Sequence, residues 1–125
     1  MELIRMPAGG PALIQGYGEG GFRVAGQRIE GAVLVAGDSA SALDILTIEE
    51  IGVAQAARIT ALDPLPELLL IGAGAGPQVL AAPVRSALAA AGIGVEVMGT
   101  GAACRTFNLL VGEGRRVAAL LIPIA

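Results

Sequence analysis

Glu67-Leu68-Leu69-Leu70-Ile71-Gly72-Ala73-Gly74-Ala75-Gly76-Pro77 is the stretch that decides how this chain folds. Glu67 to Ile71 reads as a strand whose run from Leu68 onward has no polar residue on either alternating face. Such a strand is buried on both sides, as in parallel sheets covered by helices. The glycines then turn the chain. Pro83 stands where a helix accepts proline in its first turn, and this helix should run through Ala91 and end at Gly92. Ile93 to Met98 follows as a further strand, so the unit is strand, helix, parallel strand.

Working outward, Ala102 to about Val111 predicts a helix with Ala103, Phe107, Leu110 and Val111 on one face. Gly112-Glu113-Gly114 turns, and Val117 to Ile122 closes the sheet. Before the deciding stretch, Ala32-Val33-Leu34-Val35-Ala36 is another doubly buried strand. Gly37-Asp38-Ser39 leads into a linker. Thr47-Ile48-Glu49-Glu50 fits a capping box opening a helix to about Arg58, and Asp63-Pro64-Leu65-Pro66 stops the chain before Glu67. The first third is different. Ala12-Leu13-Ile14, Phe22-Arg23-Val24 and Gln27-Arg28-Ile29-Glu30 are short runs separated by Gly18-Glu19-Gly20-Gly21 and Ala25-Gly26, the pattern of antiparallel hairpins. These hairpins add a β layer to a largely parallel sheet.

The 125 residues suit one domain, residues 1–125. Scaling with mass gives roughly 6,000 Å² exposed when folded against about 18,000 Å² unfolded, enough burial to stand without disulfides or a metal. A single cysteine and no histidine exclude the usual routes to both. The mean hydropathy of +0.74 raises the question of a membrane span. The longest uncharged run, Leu68 to Val84, is broken by Gly72, Gly74, Gly76, Pro77 and Pro83, so it does not read as a spanning helix. Met1 to Met6 lacks the apolar centre of a signal peptide, so a cytoplasmic location is expected. With a net charge of −3, scattered arginines and 2% aromatic residues, the chain has no nucleic-acid surface.

Polar chemistry concentrates in Met98-Gly99-Thr100-Gly101-Ala102-Ala103-Cys104-Arg105-Thr106-Phe107-Asn108. Cys104 is the one candidate nucleophile, in the first turn of its helix with Arg105 beside it. No histidine is available as its base, and free cysteine is commonly buried, so packing is the stronger reading. Arg105, Thr106 and Asn108 suit an anion or amide ligand; equally, Thr100 caps the helix and Asn108 satisfies buried backbone. Gly72-Ala73-Gly74-Ala75-Gly76 with Glu96 further on imitates a dinucleotide fingerprint, but Pro77 and the late helix start spoil the geometry. No complete cofactor motif remains. Asp38, Asp44, Glu49 and Glu50 have no calcium-loop spacing and read as solvated surface.

Val95 to Asn108, closing with Glu113-Gly114-Arg115-Arg116-Val117 and Ala119-Leu120-Leu121-Ile122-Pro123, resembles a particular small-domain family. That family holds uncharacterised archaeal and bacterial proteins and a mitochondrial assembly factor of respiratory complex I. The resemblance covers nearly the whole chain, including Leu69-Leu70-Ile71-Gly72, and Ala103-Cys104-Arg105-Thr106-Phe107-Asn108 is its most specific part. Where the family usually has an acid, this chain has Gly99, so no role for that acid carries over. The resemblance implies a three-layer α/β fold with a mixed central sheet, covering helices and an N-terminal β-hairpin layer. It implies no established enzymatic activity and no known cofactor, and it suggests a protein partner in assembly or insertion of respiratory or membrane proteins.

The expectation is therefore a non-enzymatic, protein-interacting α/β domain. The alternative is a small-ligand or enzymatic pocket between the Gly72 turn and the Thr100–Asn108 segment, where two strands end side by side. Either reading draws on Gly72, Gly74, Thr100, Gly101, Cys104, Arg105, Thr106 and Asn108 as the candidate ligand or partner site.

Overall fold

The computed structural model describes residues 12–125; Met1 to Met6, read above for a leader, lie outside them. Within that span the chain forms β1 (Ile14–Gly18), β2 (Gly21–Val24), β3 (Gln27–Glu30), β4 (Ala32–Ala36) and β5 (Ser39–Leu43). There follow α1 (Val53–Thr60), β6 (Leu68–Gly72), α2 (Ala82–Ala90), β7 (Gly94–Met98), α3 (Thr100–Gly112) and β8 (Val117–Leu121). The first three strands are an antiparallel meander, and the others form a mixed sheet in the order β5-β4-β8-β6-β7. β8, β6 and β7 run parallel, while β4 is antiparallel to β8 and β5 to β4.

Strand alternation sorts the core into two layers. Leu69 and Ile71 of β6 pack with Ile59 of α1 and with Val84 and Leu88 of α2. Leu70, pointing the other way, packs with Phe107 of α3 and with Phe22 and Val24 of β2. Connection handedness produces the same division. The step from β6 to β7 through α2 and the step back to β8 through α3 run in opposite directions across the sheet. Right-handed crossovers of opposite direction must lie on opposite faces. The result is the three-layer fold expected from the sequence: α1 and α2, the mixed sheet, then α3 with the β meander.

Four local expectations are corrected. Ser39–Leu43, read as linker, is the edge strand β5. Its small, weakly β-forming residues are held by pairing with β4 across a turn at Gly37, whose φ is +60°. The helix expected from Thr47 is divided into a 3₁₀ turn, Ile48–Glu50, and α1, with Gly52 at the cap. Glu50 accepts bonds from the Leu46 N–H at 3.1 Å and the Thr47 hydroxyl at 3.3 Å, while Gln55 reaches back to the Gly52 N–H at 2.8 Å. The cap is thus Gly52 rather than Thr47, five residues later than the sequence suggested. The third correction is the start of α3 at Thr100, with Gly99 in the cap position. Finally, β8, expected to close the sheet, enters its middle between β4 and β6.

Phe22 is fully buried and carries the meander's packing against the sheet. Phe22→Ala should lower unfolding free energy by about 3–5 kcal/mol in urea denaturation. A loss under about 1 kcal/mol would show that the meander is not docked as described.

Candidate functional site

Strands β6 and β7 end side by side, and their chains leave to opposite faces of the sheet, one to α2 and the other to α3. This is the kind of crevice at which open α/β sheets hold ligands. Here the two exits touch directly. A Cβ on Gly72 would lie 3.0 Å from the Thr100 Cα and 3.0 Å from Leu121 Cδ2. Gly74 turns with φ of +72°, and its N–H donates to Thr100 Oγ1 at 2.8 Å. The Thr100 hydroxyl donates in turn to the Ile122 carbonyl at 2.7 Å. Ala73 N–H to Met98 C=O and Ile122 N–H to Gly72 C=O, both 2.8 Å, complete the weave.

Thr100 therefore does not cap α3. As the first helical residue it is turned inward, and its hydroxyl joins the exits of β6 and β8. The side chain is 1% exposed and both hydrogen-bonding roles of its oxygen are used. A buried hydroxyl with both a donor and an acceptor partner escapes the desolvation cost of an orphaned polar group.

Cys104 points into the layer between α3 and the sheet, in one cluster with Ala103 and Phe107. With the helix beginning at Thr100, Cys104 is its fifth residue. It sits past the first turn, where a helix dipole acts on a thiol. Burial pushes the thiol up to about 12, and the charge of Arg105 offsets this only in part. At neutral pH it is a thiol and packs as a small hydrophobe.

Asn108 works as a substitute strand. Its Oδ1 accepts from the Ile14 N–H at 2.9 Å, and its Nδ2 donates to the Ile14 carbonyl at 2.7 Å. One side-chain amide thus satisfies both backbone groups of Ile14, and pins the meander to α3. Thr106, two residues earlier and so about 200° around the helix, lies half-buried on the other flank.

Arg105 is exposed, and its Nη1 donates to the Tyr17 hydroxyl at 3.2 Å. Gly101 makes this possible: a Cβ there would come within 2.6 Å of the tyrosine oxygen. The structure thus separates the eight candidates. Gly72, Gly74 and Thr100 form one buried junction, Cys104 belongs to the core, and Asn108 fastens β1. Gly101 and Arg105 form a surface with Tyr17, and Thr106 stands apart on the other flank of α3. Tyr17 was not a sequence candidate, and no local signal marks it, because 88 residues separate it from Arg105.

A cavity of about 330 Å³ lies at the opposite, amino-terminal end of β6 and β8. Asp38, Pro64, Val111 and Arg116 are among its walls. Among the described residues, no His, Cys, Asp or Glu group could hold a metal ion, and no helix is long and apolar enough to cross a membrane.

Residues 14–122 match the family described as a protein of unknown function, DUF498/DUF598. An uncharacterised protein of Rhodobacter capsulatus is 37% identical over 111 residues, covering 89% of this chain and 84% of that one. NADH dehydrogenase (ubiquinone) 1 alpha subcomplex assembly factor 3 of Danio rerio is 32% identical over 98% of this chain and 71% of its own length. The Homo sapiens protein of that name is 31% identical, over 98% and 67%. A Bartonella henselae crystal structure, described as an outer membrane protein, superposes with a TM-score of 0.86 at 34% identity, covering 94% of this chain and 98% of that one. A Mth938-like domain from Bordetella pertussis, solved by solution NMR, gives 0.80 at 29%, covering 98% and 92%.

Two outcomes are expected from variants here. Asn108→Asp keeps the acceptor for Ile14 N–H but faces the Ile14 carbonyl with an anion. It should cost about 1–3 kcal/mol in urea denaturation, the range for a buried polar group left unpaired. The raised thiol pKa also has a sign. Unfolding releases a thiol that ionises near pH 8.5, so Cys104 favours the native state fully below that pH and loses this contribution toward pH 12. Cys104→Ala should therefore flatten the decline of stability above pH 9, and native Cys104 should alkylate slowly at neutral pH. An unchanged pH profile, or fast native labelling, would contradict the buried thiol.

Proposed function

The chain belongs to the DUF498/DUF598 family, and from that membership we propose that it is a protein-binding domain without enzymatic activity of its own. Its role is to assist assembly or insertion of respiratory or membrane proteins, acting from the cytoplasm. One observation carries the reading: similarity to proteins named as complex I assembly factors extends over 98% of the chain. Similarity over that span takes in every strand and helix of the domain, including the segment that carries Arg105.

The site geometry supports this reading by what it leaves free. In the string that carries the family resemblance, Cys104, Phe107 and Asn108 are spent on packing and on holding β1. Arg105 remains outward with Tyr17, which is 41% exposed. Tyrosine and arginine are the residue types over-represented at binding hot spots, where an amphipathic ring and a planar guanidinium give large contact at small entropic cost. Held together over Gly101, the pair is a preorganised contact for a partner's carboxylate or carbonyl groups.

Affinity capture from the native organism with the wild-type chain should enrich subunits of a respiratory or other membrane-bound complex. Arg105→Glu should reduce that capture about tenfold or more, equivalent to at least about 1.4 kcal/mol, while leaving the urea midpoint unchanged. Capture of a small-molecule substrate with turnover, or no dependence on Arg105, would overturn the proposal.

A further inference from the structure

The three most exposed large apolar side chains among the described residues are Val53, Val79 and Leu46, at 74%, 71% and 65%. Topology puts them at one end of the molecule. β5 runs in the same direction as β8 and β6, so the chain leaves Leu43 toward Leu46 at the carboxyl end of the sheet. The connection after α1 returns the chain to the start of β6, which places the first turn of α1, and Val53, at that same end. Val79 lies in the connection from β6 to α2, also there.

Packing explains why these side chains face outward. Ile45, Ile48 and Ile51 are each buried, at a three-residue spacing that takes one side of the segment into the core. Leu46, Glu49, Glu50 and Val53 are left on the solvent side. Charge along the segment that carries Leu46 and Val53 is of one sign. Residues 42–57 contain Asp44, Glu49 and Glu50 and no arginine. Asp44 and Glu49 are exposed and make no ion pair among the described residues. The nearest bases in sequence are Arg58, at the far end of α1 and bonded to Ser41, and Arg85, one turn into α2.

We infer that Leu46, Val53 and Val79 form a docking surface for a cationic amphipathic segment of a partner protein. Asp44, Glu49 and Glu50 receive its basic residues. Apolar contact supplies the area, and the acidic rim selects charge and speeds encounter. The positive flank of a membrane-bound helix has this chemistry. An anionic lipid surface does not, since the rim would repel it. The inference rests on the protein-binding reading above but uses a different surface from Tyr17 and Arg105, so the two can fail separately.

The test is fluorescence anisotropy with a labelled peptide of leucine and lysine at helical spacing, and its analogue with glutamate for every lysine. The lysine peptide should bind the full chain, and the glutamate analogue about tenfold or more weaker. Val53→Ser, the combined Leu46→Ser, Val53→Ser and Val79→Ser variant, and the combined Asp44→Asn and Glu49→Gln variant should each weaken binding about fivefold or more. All keep the wild-type urea midpoint, since every changed side chain is exposed; Glu50 is left alone because it holds the Leu46 amide. Arg105→Glu should bind the peptide as wild type does. Equal binding of both peptides, wild-type affinity in the patch variants, or tighter binding to phosphatidylglycerol vesicles would overturn the inference. So would loss of self-association in the Leu46, Val53 and Val79 variant, which would assign the patch to a second copy. If the peptide results hold while capture fails to depend on Arg105, this surface stands and the Tyr17–Arg105 reading falls.

Discussion

Two adjacent strands that are apolar on both faces govern this structure. β8 is buried at every position, and β6 is buried or half-buried throughout. Neither has a side that water could wet, so the sheet can exist only if both faces are roofed. The parallel connections α2 and α3 supply one helix to each face. That leaves area uncovered beside each: α1 extends the roof next to α2, and the β meander extends it next to α3. The meander is therefore half of one face's cover, and Ile14, Phe22 and Val24 are its buried contribution to the core.

Covering two faces with different layers creates a fastening problem that the polar residues solve. A three-stranded meander laid against a helix has a strand edge with unpaired backbone groups. Asn108 meets that edge with an amide, which offers the same donor and acceptor as a peptide group. At the carboxyl end, Thr100 performs the corresponding task for two loops. The polar groups that looked most like a ligand site are thus largely those on which the layers depend, and Arg105 with Tyr17 is what they leave to solvent.

This division bears on the protein-binding role proposed above. A rigid junction of Gly72, Gly74 and Thr100 holds the carboxyl end of the sheet in one shape. Surfaces on either side of it can then bind without paying for order at the moment of contact. The Tyr17–Arg105 pair on the α3 face is basic and the Leu46–Val53 region on the α1 face is acidic, so the two proposed binding surfaces are chemically distinct. Arg115 and Glu67, paired at 2.6 Å, tie the far end of the sheet where α3 returns to β8. The arginine there holds the Glu67 carboxyl below its ordinary range through that hydrogen bond.

Local pattern in the sequence determined a good deal. The double-faced apolar runs at 32–36, 68–71 and 117–122, the glycine and proline punctuation, and the hairpin spacing of the first third specified strands, helices and an added β layer. The thiol's burial was also legible, from the tendency of free cysteine to be buried and from the lack of any base. What tertiary structure decided is which distant pieces meet. β5 is a strand because β4 offers it an edge, although its own residues have little preference for one. β8 enters between β4 and β6, and Thr100 turns inward because the exits of two strands converge on its hydroxyl. Asn108 and Ile14 are 94 residues apart, and Tyr17 and Arg105 are 88 apart. Periodicity and capping act over a few residues and can be read along the chain. A hydrogen bond between remote residues depends on where the packed layers bring them, which no stretch of sequence contains.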